Sequence, residues 1–214
     1  MLLNGLIMPA FSQHTLFSIA TDLGLQRNLK KEQRYWAVGQ TVIAHFHITP
    51  KDGVYIWVAY FSTGKFNNNL SATAKSTTTN PQQVNYTNYA EMRFKHISIG
   101  WKHYLKGSAV TEDTWGLYAF AGFGLLPGRV INYHSVTIDT SQYILPVLSG
   151  KANFKRLTLD LGLGWEVPLS ETVFFYNEGR VWIPTTGYPS NHIFINRNAP
   201  MVATLNFGLR ILFD

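Results

Sequence analysis

The 214-residue sequence contains no cysteine, few charged residues and no long apolar run. The absence of cysteine excludes disulfides, thiolate metal sites and cysteine nucleophiles. Charged residues make up 14% of the chain, whereas a soluble domain usually carries about 25%. No segment approaches the roughly 20 consecutive apolar residues that a membrane-spanning helix needs. These deficits argue against both a soluble enzyme and a helical membrane protein.

What the chain has instead is apolar and aromatic side chains at alternating positions. Hydrophobic residues reach 46% and aromatic residues 14%. The clearest segment, 154–167, has an apolar face of Leu157, Leu159, Leu161, Leu163 and Trp165. Its opposite face consists of Thr158, Asp160, Gly162, Gly164 and Glu166. This period of two residues is typical of a β-strand with two different faces.

The same pattern predicts eight strands separated by connections of unequal length. The predicted strands are 15–26, 35–48, 54–63, 91–105, 115–133, 154–167, 172–183 and 201–213. Three long polar loops, 65–88, 134–153 and 184–200, alternate with short connections. Outer-membrane barrels have short periplasmic turns and long extracellular loops. The sequence therefore predicts an all-β fold, an eight-stranded antiparallel up-and-down transmembrane β-barrel over residues 13–214. Both termini are expected in the periplasm of a Gram-negative bacterium.

The distribution of glycine predicts which face of these strands meets lipid. A soluble lipocalin-like barrel would show the same alternation with its apolar residues inside. Here one face carries both the charges and these glycines: Gly100, Gly116, Gly122, Gly124, Gly162, Gly164 and Gly208. A narrow interior accommodates polar side chains more easily beside small residues, so the apolar face is predicted to point outward. Trp36, Trp101 and Trp165 fall near strand ends and are predicted interfacial aromatics, whereas Trp182 falls on the inward face.

The inward charges form a predicted lumen network. They are Asp22, Lys102, Asp160, Glu166, Glu178, Arg180 and Arg210. An unpaired buried charge costs several kcal/mol, so these groups are expected to pair and fill the lumen. A symmetrical hairpin about the turn 168–171 would place Asp160 opposite Arg180 and Gly162 opposite Glu178. A proton or ion path through the network is a less favoured interpretation.

No motif identifies a catalytic residue, a metal or a cofactor. Walker, dinucleotide and nucleophile-elbow patterns are missing. His45 and His47 share a face, but the pattern supplies no third metal ligand. The largest basic cluster, Arg27, Lys30, Lys31 and Arg34, lies in one short loop. The simplest interpretation is a solvated turn, and the alternative is contact with anionic outer-membrane lipid or lipopolysaccharide. The scatter of the other cations argues against nucleic acid.

Both ends of the chain resemble those of exported barrels. Residues 2–8 are largely apolar, and Ala10 and Ser12 fit a signal-peptidase site before Gln13. Residues 1–12 are therefore a predicted signal-peptide remnant, which resembles signals of the Bacteroidota. The last strand closes on Phe213, similar to the C-terminal signal of outer-membrane proteins, although Asp214 follows it. In architecture the mature chain resembles the small OmpA/OmpX-type outer-membrane barrels, and no motif identifies a subfamily.

We therefore expect a non-enzymatic barrel that serves as a structural, accessory or surface-binding subunit of the outer membrane. Partner proteins are expected on the long loops, especially 66–89 and 188–198, or on the barrel wall. Three alternatives stay open: a narrow pore, a lipid-A-modifying enzyme and a soluble lipocalin-like binder.

Overall fold

A computed structural model describes residues 16–110, 114–187, 190–193 and 201–213. Within them lie ten strands and one 3₁₀ turn, Lys31–Gln33. The strands are β1 (Leu16–Asn28), β2 (Trp36–His47), β3 (Asp52–Phe61), β4 (Gly64–Ala74), β5 (Gln83–Lys106), β6 (Gly116–His134), β7 (Tyr143–Ile144), β8 (Gly150–Pro168), β9 (Val173–Pro184) and β10 (Val202–Phe213). The predicted signal segment 1–12 lies outside the described residues. In the described part of the chain, no helix is long and apolar enough to cross a membrane.

Eight of the strands close into a barrel. Their order around it is β3, β2, β1, β10, β9, β8, β6 and β5, and β5 pairs back onto β3. Every pairing is antiparallel. Closure satisfies the backbone hydrogen-bonding groups within the sheet, as a lipid environment demands. The predicted eight-stranded antiparallel barrel is confirmed.

The predicted loop 65–88 is wrong for most of its length, because it forms β4 and the start of β5. Strand β4 follows β3 and pairs with the same strand, β5. Tyr60 of β3 pairs with Lys95, and Gly64 of β4 pairs with Met92. The chain advances four residues from Tyr60 to Gly64 but only three from Lys95 to Met92, so a bulge separates β3 from β4. Strand β7 pairs with the far end of β4. The apolar residues of β4, Phe66, Leu70 and Ala72, share one face. Asn68 interrupts that face in a region rich in Asn and Thr, and the short alternating pattern is therefore easily taken for a polar loop.

The connections separate two ends of the barrel. At one end, here the short-turn end, lie the links 48–51, 107–115 and 169–172 and the pair Phe17 and Phe213 of the first and last strands. At the other, the long-loop end, lie the links 29–35, 75–82, 135–149 and 185–201, the third of which contains β7. We call β4, the first part of β5 (83–92) and β7 the projecting sheet, because it extends past the barrel at the long-loop end.

The outer wall of the barrel is apolar. Leu23 is 74% exposed and Phe123 70% exposed, and many further large apolar side chains point outward with them. Soluble monomers rarely expose contiguous apolar patches above a few hundred Å², whereas lipid solvates such a wall. The apolar face therefore points outward as predicted, which is the opposite of the lipocalin arrangement.

The predicted register of β8 and β9 is wrong by two residues. Asp160 lies opposite Trp182 instead of Arg180, and Gly162 lies opposite Arg180 instead of Glu178. The difference changes which charges meet inside the barrel.

The turn between these strands explains the error. Pro168 still belongs to β8 and pairs with Phe174. The turn is therefore 169–172, where the amides of Leu169 and Ser170 donate to the Val173 carbonyl at 2.8 and 3.1 Å. A hairpin centre displaced by one residue moves every cross-strand partner by two.

Candidate functional site

Two tryptophans from opposite sides of the barrel meet in its lumen. Trp57 lies on β3 and Trp182 on β9, which stand four places apart in the ring of eight strands. Their ring centroids are 5.5 Å apart. His96 stacks on Trp182 at 4.5 Å and 3°, and Phe61 contacts the same ring at 5.7 Å. All four side chains have no solvent exposure, so this aromatic layer closes the lumen.

Arg180 lies against the aromatic layer and is paired within its own strand. Its Nη2 and Nε donate to Glu178 Oε2 at 2.7 and 2.9 Å. The guanidinium also lies 4.0 Å from the ring centre of Phe120 and 4.5 Å from that of Trp57. Tyr118 donates its hydroxyl to the second oxygen of Glu178 at 3.0 Å. A planar guanidinium suits both the carboxylate and the aromatic faces.

Glu166 is the centre of a second group of lumen charges. Arg210 donates to its carboxylate through Nη2 at 2.6 Å and Nε at 3.1 Å. The Tyr104 hydroxyl donates at 2.6 Å, and Lys102 Nζ lies 3.5 Å away. Lys102 also lies 3.6 Å from the ring centre of Tyr118. One buried carboxylate therefore bridges cations from β5 and β10, on opposite sides of the barrel.

The two aspartates of the predicted network lie in the lumen without an arginine partner. Asp22 accepts a hydrogen bond from the Tyr176 hydroxyl at 2.6 Å. Asp160 accepts one from Thr158 at 2.7 Å and lies 3.4 Å from His96 Nε2. The prediction that Asp160 faces Arg180 is wrong because of the register change. The sequence pattern places His96 on the inward side of β5. Its contact with Asp160 depends on the register between strands, which the pattern does not give.

The group formed by His96, Thr158 and Asp160 resembles a hydrolytic triad in composition only. His96 Nε2 lies 2.9 Å from Thr158 Oγ1. All three side chains are fully buried, and Trp182 stacks on the imidazole. A substrate therefore has no access to the hydroxyl, and the three side chains satisfy part of one another's hydrogen-bonding capacity.

The inward glycines make room for aromatic side chains. A Cβ added at Gly162 would lie 2.2 Å from Phe120 Cζ, and one at Gly164 would lie 2.5 Å from Tyr118. The sequence argument expected small residues to accommodate polar groups. In the structure they accommodate rings that extend across from the neighbouring strand.

The two adjacent histidines also belong to the lumen packing. The rings of His45 and His47 stack at 5.9 Å, and His47 Nε2 lies 2.9 Å from Ser18 Oγ. Among the described residues, no group of three or more His, Cys, Asp or Glu side chains is arranged to hold a metal ion.

The three predicted interfacial tryptophans lie exposed on the outer wall. Trp36 is at the long-loop end, where the Arg27 guanidinium lies 4.4 Å from its ring. Trp101 is near the short-turn end and donates its indole N–H to Asp52 at 3.0 Å. Trp165, also towards that end, packs on Phe175 with ring centroids 5.9 Å apart. Their placement suits two membrane interfaces, which stays a prediction.

The projecting sheet has a small core of its own. Ala72, Tyr86 and Tyr143 are buried there, with partly buried apolar neighbours. The Tyr143 hydroxyl donates to the Pro81 carbonyl at 2.9 Å and thus ties β7 to the β4–β5 turn. The predicted binding region 66–89 is therefore largely an ordered sheet. Of the other predicted binding loop, residues 188–189 and 194–198 lie outside the described part.

A closed eight-stranded antiparallel barrel with an apolar wall and a filled interior is the fold of the small outer-membrane β-barrels. No protein-family model and no curated protein sequence matches the chain. Solved structures do match. Neisserial surface protein A gives a TM-score of 0.53 at 12% identity, over 92% of this chain and 97% of that one. OprG from Pseudomonas aeruginosa gives 0.52 at 10% identity, over 94% and 97%. Ail from Yersinia pestis, in complex with the heparin analogue sucrose octasulfate, gives 0.51 at 9% identity, over 93% and 99%. These likenesses confirm the predicted fold class.

Proposed function

We propose that this chain is a non-conducting, non-enzymatic barrel of the outer membrane that holds a surface-binding sheet above the lipid. The observation that carries the proposal is the contrast between a closed lumen and an ordered sheet that continues past the long-loop end. We further propose that this end faces the cell exterior of a Gram-negative bacterium and that both termini are periplasmic, since long loops are extracellular in such barrels.

The lumen supports an anchoring role and argues against a narrow pore. Barrels of about eight strands have interiors just wide enough for side chains to fill. Here the Trp57 and Trp182 rings touch across the barrel, and the charge groups around Glu166 and Glu178 fill the layers towards the short-turn end. We expect planar bilayers containing the purified chain to show no stepwise conductance. Reproducible single-channel steps would contradict the proposal.

The outer face of the projecting sheet supports a binding role. Tyr89 and Tyr133 are paired on β5 and β6 and are 51% and 55% exposed. With Lys65, Phe66 and Asn67 of β4 they line a groove of about 410 Å³. Exposed tyrosines beside amide side chains offer large contact area at small entropic cost. The neighbouring Ail structure, with its bound sucrose octasulfate, supports a sulfated or phosphorylated saccharide as one candidate partner.

Site-specific photo-crosslinking in intact cells tests the binding role. A photoreactive residue replaces Tyr89 in one variant and Phe123, which points outward from the lipid-facing wall, in the other. We expect a defined adduct with a surface partner from position 89 and none of the same mass from position 123. Adducts from neither position, or the same adduct from both, would overturn the surface-binding proposal.

A further inference from the structure

Five basic side chains converge on the outer wall at the long-loop end, and we call this site the basic groove. Arg93 and Lys95 come from β5, Arg129 from β6, and Lys151 and Lys155 from β8. The groove has a volume of about 750 Å³, which lies in the roughly 300–1,000 Å³ range of small-molecule sites. Its cations come from three distant parts of the sequence, so only the strand register brings them together.

The basic groove holds like charges close together. Arg93 and Arg129 are direct cross-strand partners, a like-charge arrangement that destabilises a sheet. None of the residues that line the groove is acidic. Glu91, the nearest acid along β5, lines a small adjoining cavity with Arg93 and Arg129. Its carboxylate lies 3.2 Å from Lys65. The Nε of Arg129 is buried without a hydrogen-bond partner. A ligand with several negative charges would relieve this repulsion.

The wall beside the groove indicates that such a ligand also has an apolar part. On the same outward face, the residues two positions nearer the short-turn end are apolar. They are Ile97 beside Lys95, Leu125 beside Pro127 and Leu157 beside Lys155. All three of these apolar side chains are exposed. A molecule bound here therefore has its anionic head among the cations and its chains against the apolar wall.

We propose that the basic groove binds the phosphorylated headgroup of an outer-leaflet lipid, a lipid-A-type glycolipid. Arginine forks bind phosphate oxygens in pairs, and lysines add point charges. Basic pockets at the membrane surface are a known means of holding anionic headgroups. The inference rests on the orientation proposed above, because it requires the long-loop end to lie in the outer leaflet.

The basic groove also revises the sequence-based choice of a lipid contact. The sequence favoured the cluster Arg27, Lys30, Lys31 and Arg34 because its charges are close along the chain. Arg27 lies over the ring of Trp36. Arg93 likewise lies over the ring of Tyr60 and donates to its hydroxyl at 3.0 Å, so such contacts do not separate the two sites. The rest of that cluster provides a matched control with the same number of removable charges at the same end of the barrel.

The test compares two triple variants of the full chain refolded in detergent micelles. R93Q/R129Q/K155Q neutralises the groove, and K30Q/K31Q/R34Q neutralises the control loop. Binding of bisphosphorylated lipid A is measured by titration calorimetry. A surface cation contributes roughly fivefold to the affinity for anionic lipid, so three should contribute about a hundredfold. We expect that loss for the groove variant and less than about threefold for the control. Equal losses in the two variants would overturn the proposal.

Further binding measurements identify the chemistry of the ligand. Dephosphorylated lipid A should bind the wild-type chain as weakly as the bisphosphorylated lipid binds the groove variant. Inorganic pyrophosphate should not displace the lipid at equal concentration; if it does, the groove is a site for soluble anions and the lipid assignment is wrong. If the triple variant does not fold, as judged by heat-modifiable gel mobility, the single variant R129Q should still weaken binding about fivefold.

Fractionation of native cells separates the two proposals. Recovery of the chain in the soluble periplasmic fraction would overturn both the membrane-anchored function and the lipid site. Recovery in the outer membrane together with unaltered lipid binding by the groove variants would overturn the lipid site alone.

Discussion

Replacement of Glu166 by glutamine should destabilise the barrel strongly, because this carboxylate accepts hydrogen bonds from both sides of the lumen. Glu166 is 2% exposed. It receives two hydrogen bonds from Arg210 and one from Tyr104, and Lys102 lies 3.5 Å away. Glutamine keeps the shape and one acceptor oxygen, but its amide N–H groups would face donors.

The magnitude follows from the burial of the cations that remain. A hydrogen bond to a charged group contributes about 1.5–3 kcal/mol. Removal of one partner from a buried ion pair costs about 3–5 kcal/mol, because the other charge stays buried. We therefore expect E166Q to lower the free energy of unfolding by about 4 kcal/mol. This is a large part of the roughly 5–15 kcal/mol of a typical domain.

Urea titration of the barrel in lipid vesicles, followed by tryptophan fluorescence and gel mobility, measures this effect. E171Q makes the same chemical change in the exposed β8–β9 turn and should alter stability by less than about 0.5 kcal/mol. The double variant E166Q/R210M should be less destabilised than the sum of the single variants by about 1–3 kcal/mol. If E166Q matches E171Q, or if the cycle is additive, the proposed coupling across the lumen is refuted.

Three further outcomes follow from the structure. W57A/W182A removes the two rings that meet in the lumen and should lower the free energy of unfolding by at least about 3–5 kcal/mol, while the charge groups around Glu166 and Glu178 keep planar bilayers free of conductance steps. G162A adds a methyl carbon about 2.2 Å from a lumen ring and should lower stability by about 1–3 kcal/mol in the same urea titration. Hydrogen bonds from Ser141 hold the pKa of Asp139 below its ordinary value of 3.8, so the turn 139–142 is stabilised above that value. This stability is lost as the pH falls through the lowered pKa, which amide exchange in the wild type and in D139N would detect.

The strand count and the two faces of the wall were predictable because each barrel strand separates lipid from a packed interior. In β8 the residues Leu157 to Trp165 alternate without a break between apolar side chains and small or polar ones. In the structure the apolar side chains lie on the outer wall. Strand β4 was not predictable in this way. Its inward face carries Phe66, Leu70 and Ala72, but Asn68 interrupts that face and Asn67 and Asn69 flank it, so the periodic signal is weak.

Parity predicted seven inward charges, all of them buried in the structure, but missed Arg156, which is 1% exposed on the same face of β8. It did not predict the partners of these charges. Parity depends only on whether a residue is odd or even along a strand, whereas partners depend on the register of every hairpin. The position of Pro168 inside β8 was enough to move Asp160 away from Arg180. Contacts such as that of Glu166 with Arg210 join strands that are not neighbours in the barrel, and no local pattern encodes them.

Strand β5 shows how the chain divides its chemistry between the two faces. Its inward residues, among them His96, Lys102 and Tyr104, hydrogen-bond or ion-pair within the lumen and have almost no exposure. Its outward face changes along the strand from the exposed Tyr89 through Arg93 and Lys95 to an apolar stretch. A barrel this narrow uses its interior for packing, so binding chemistry is confined to the outward face. The order along β5 places the proposed lipid contact between the apolar wall and the proposed binding sheet. This is the position that a phosphate headgroup would take if its chains and carbohydrate extend to either side of it.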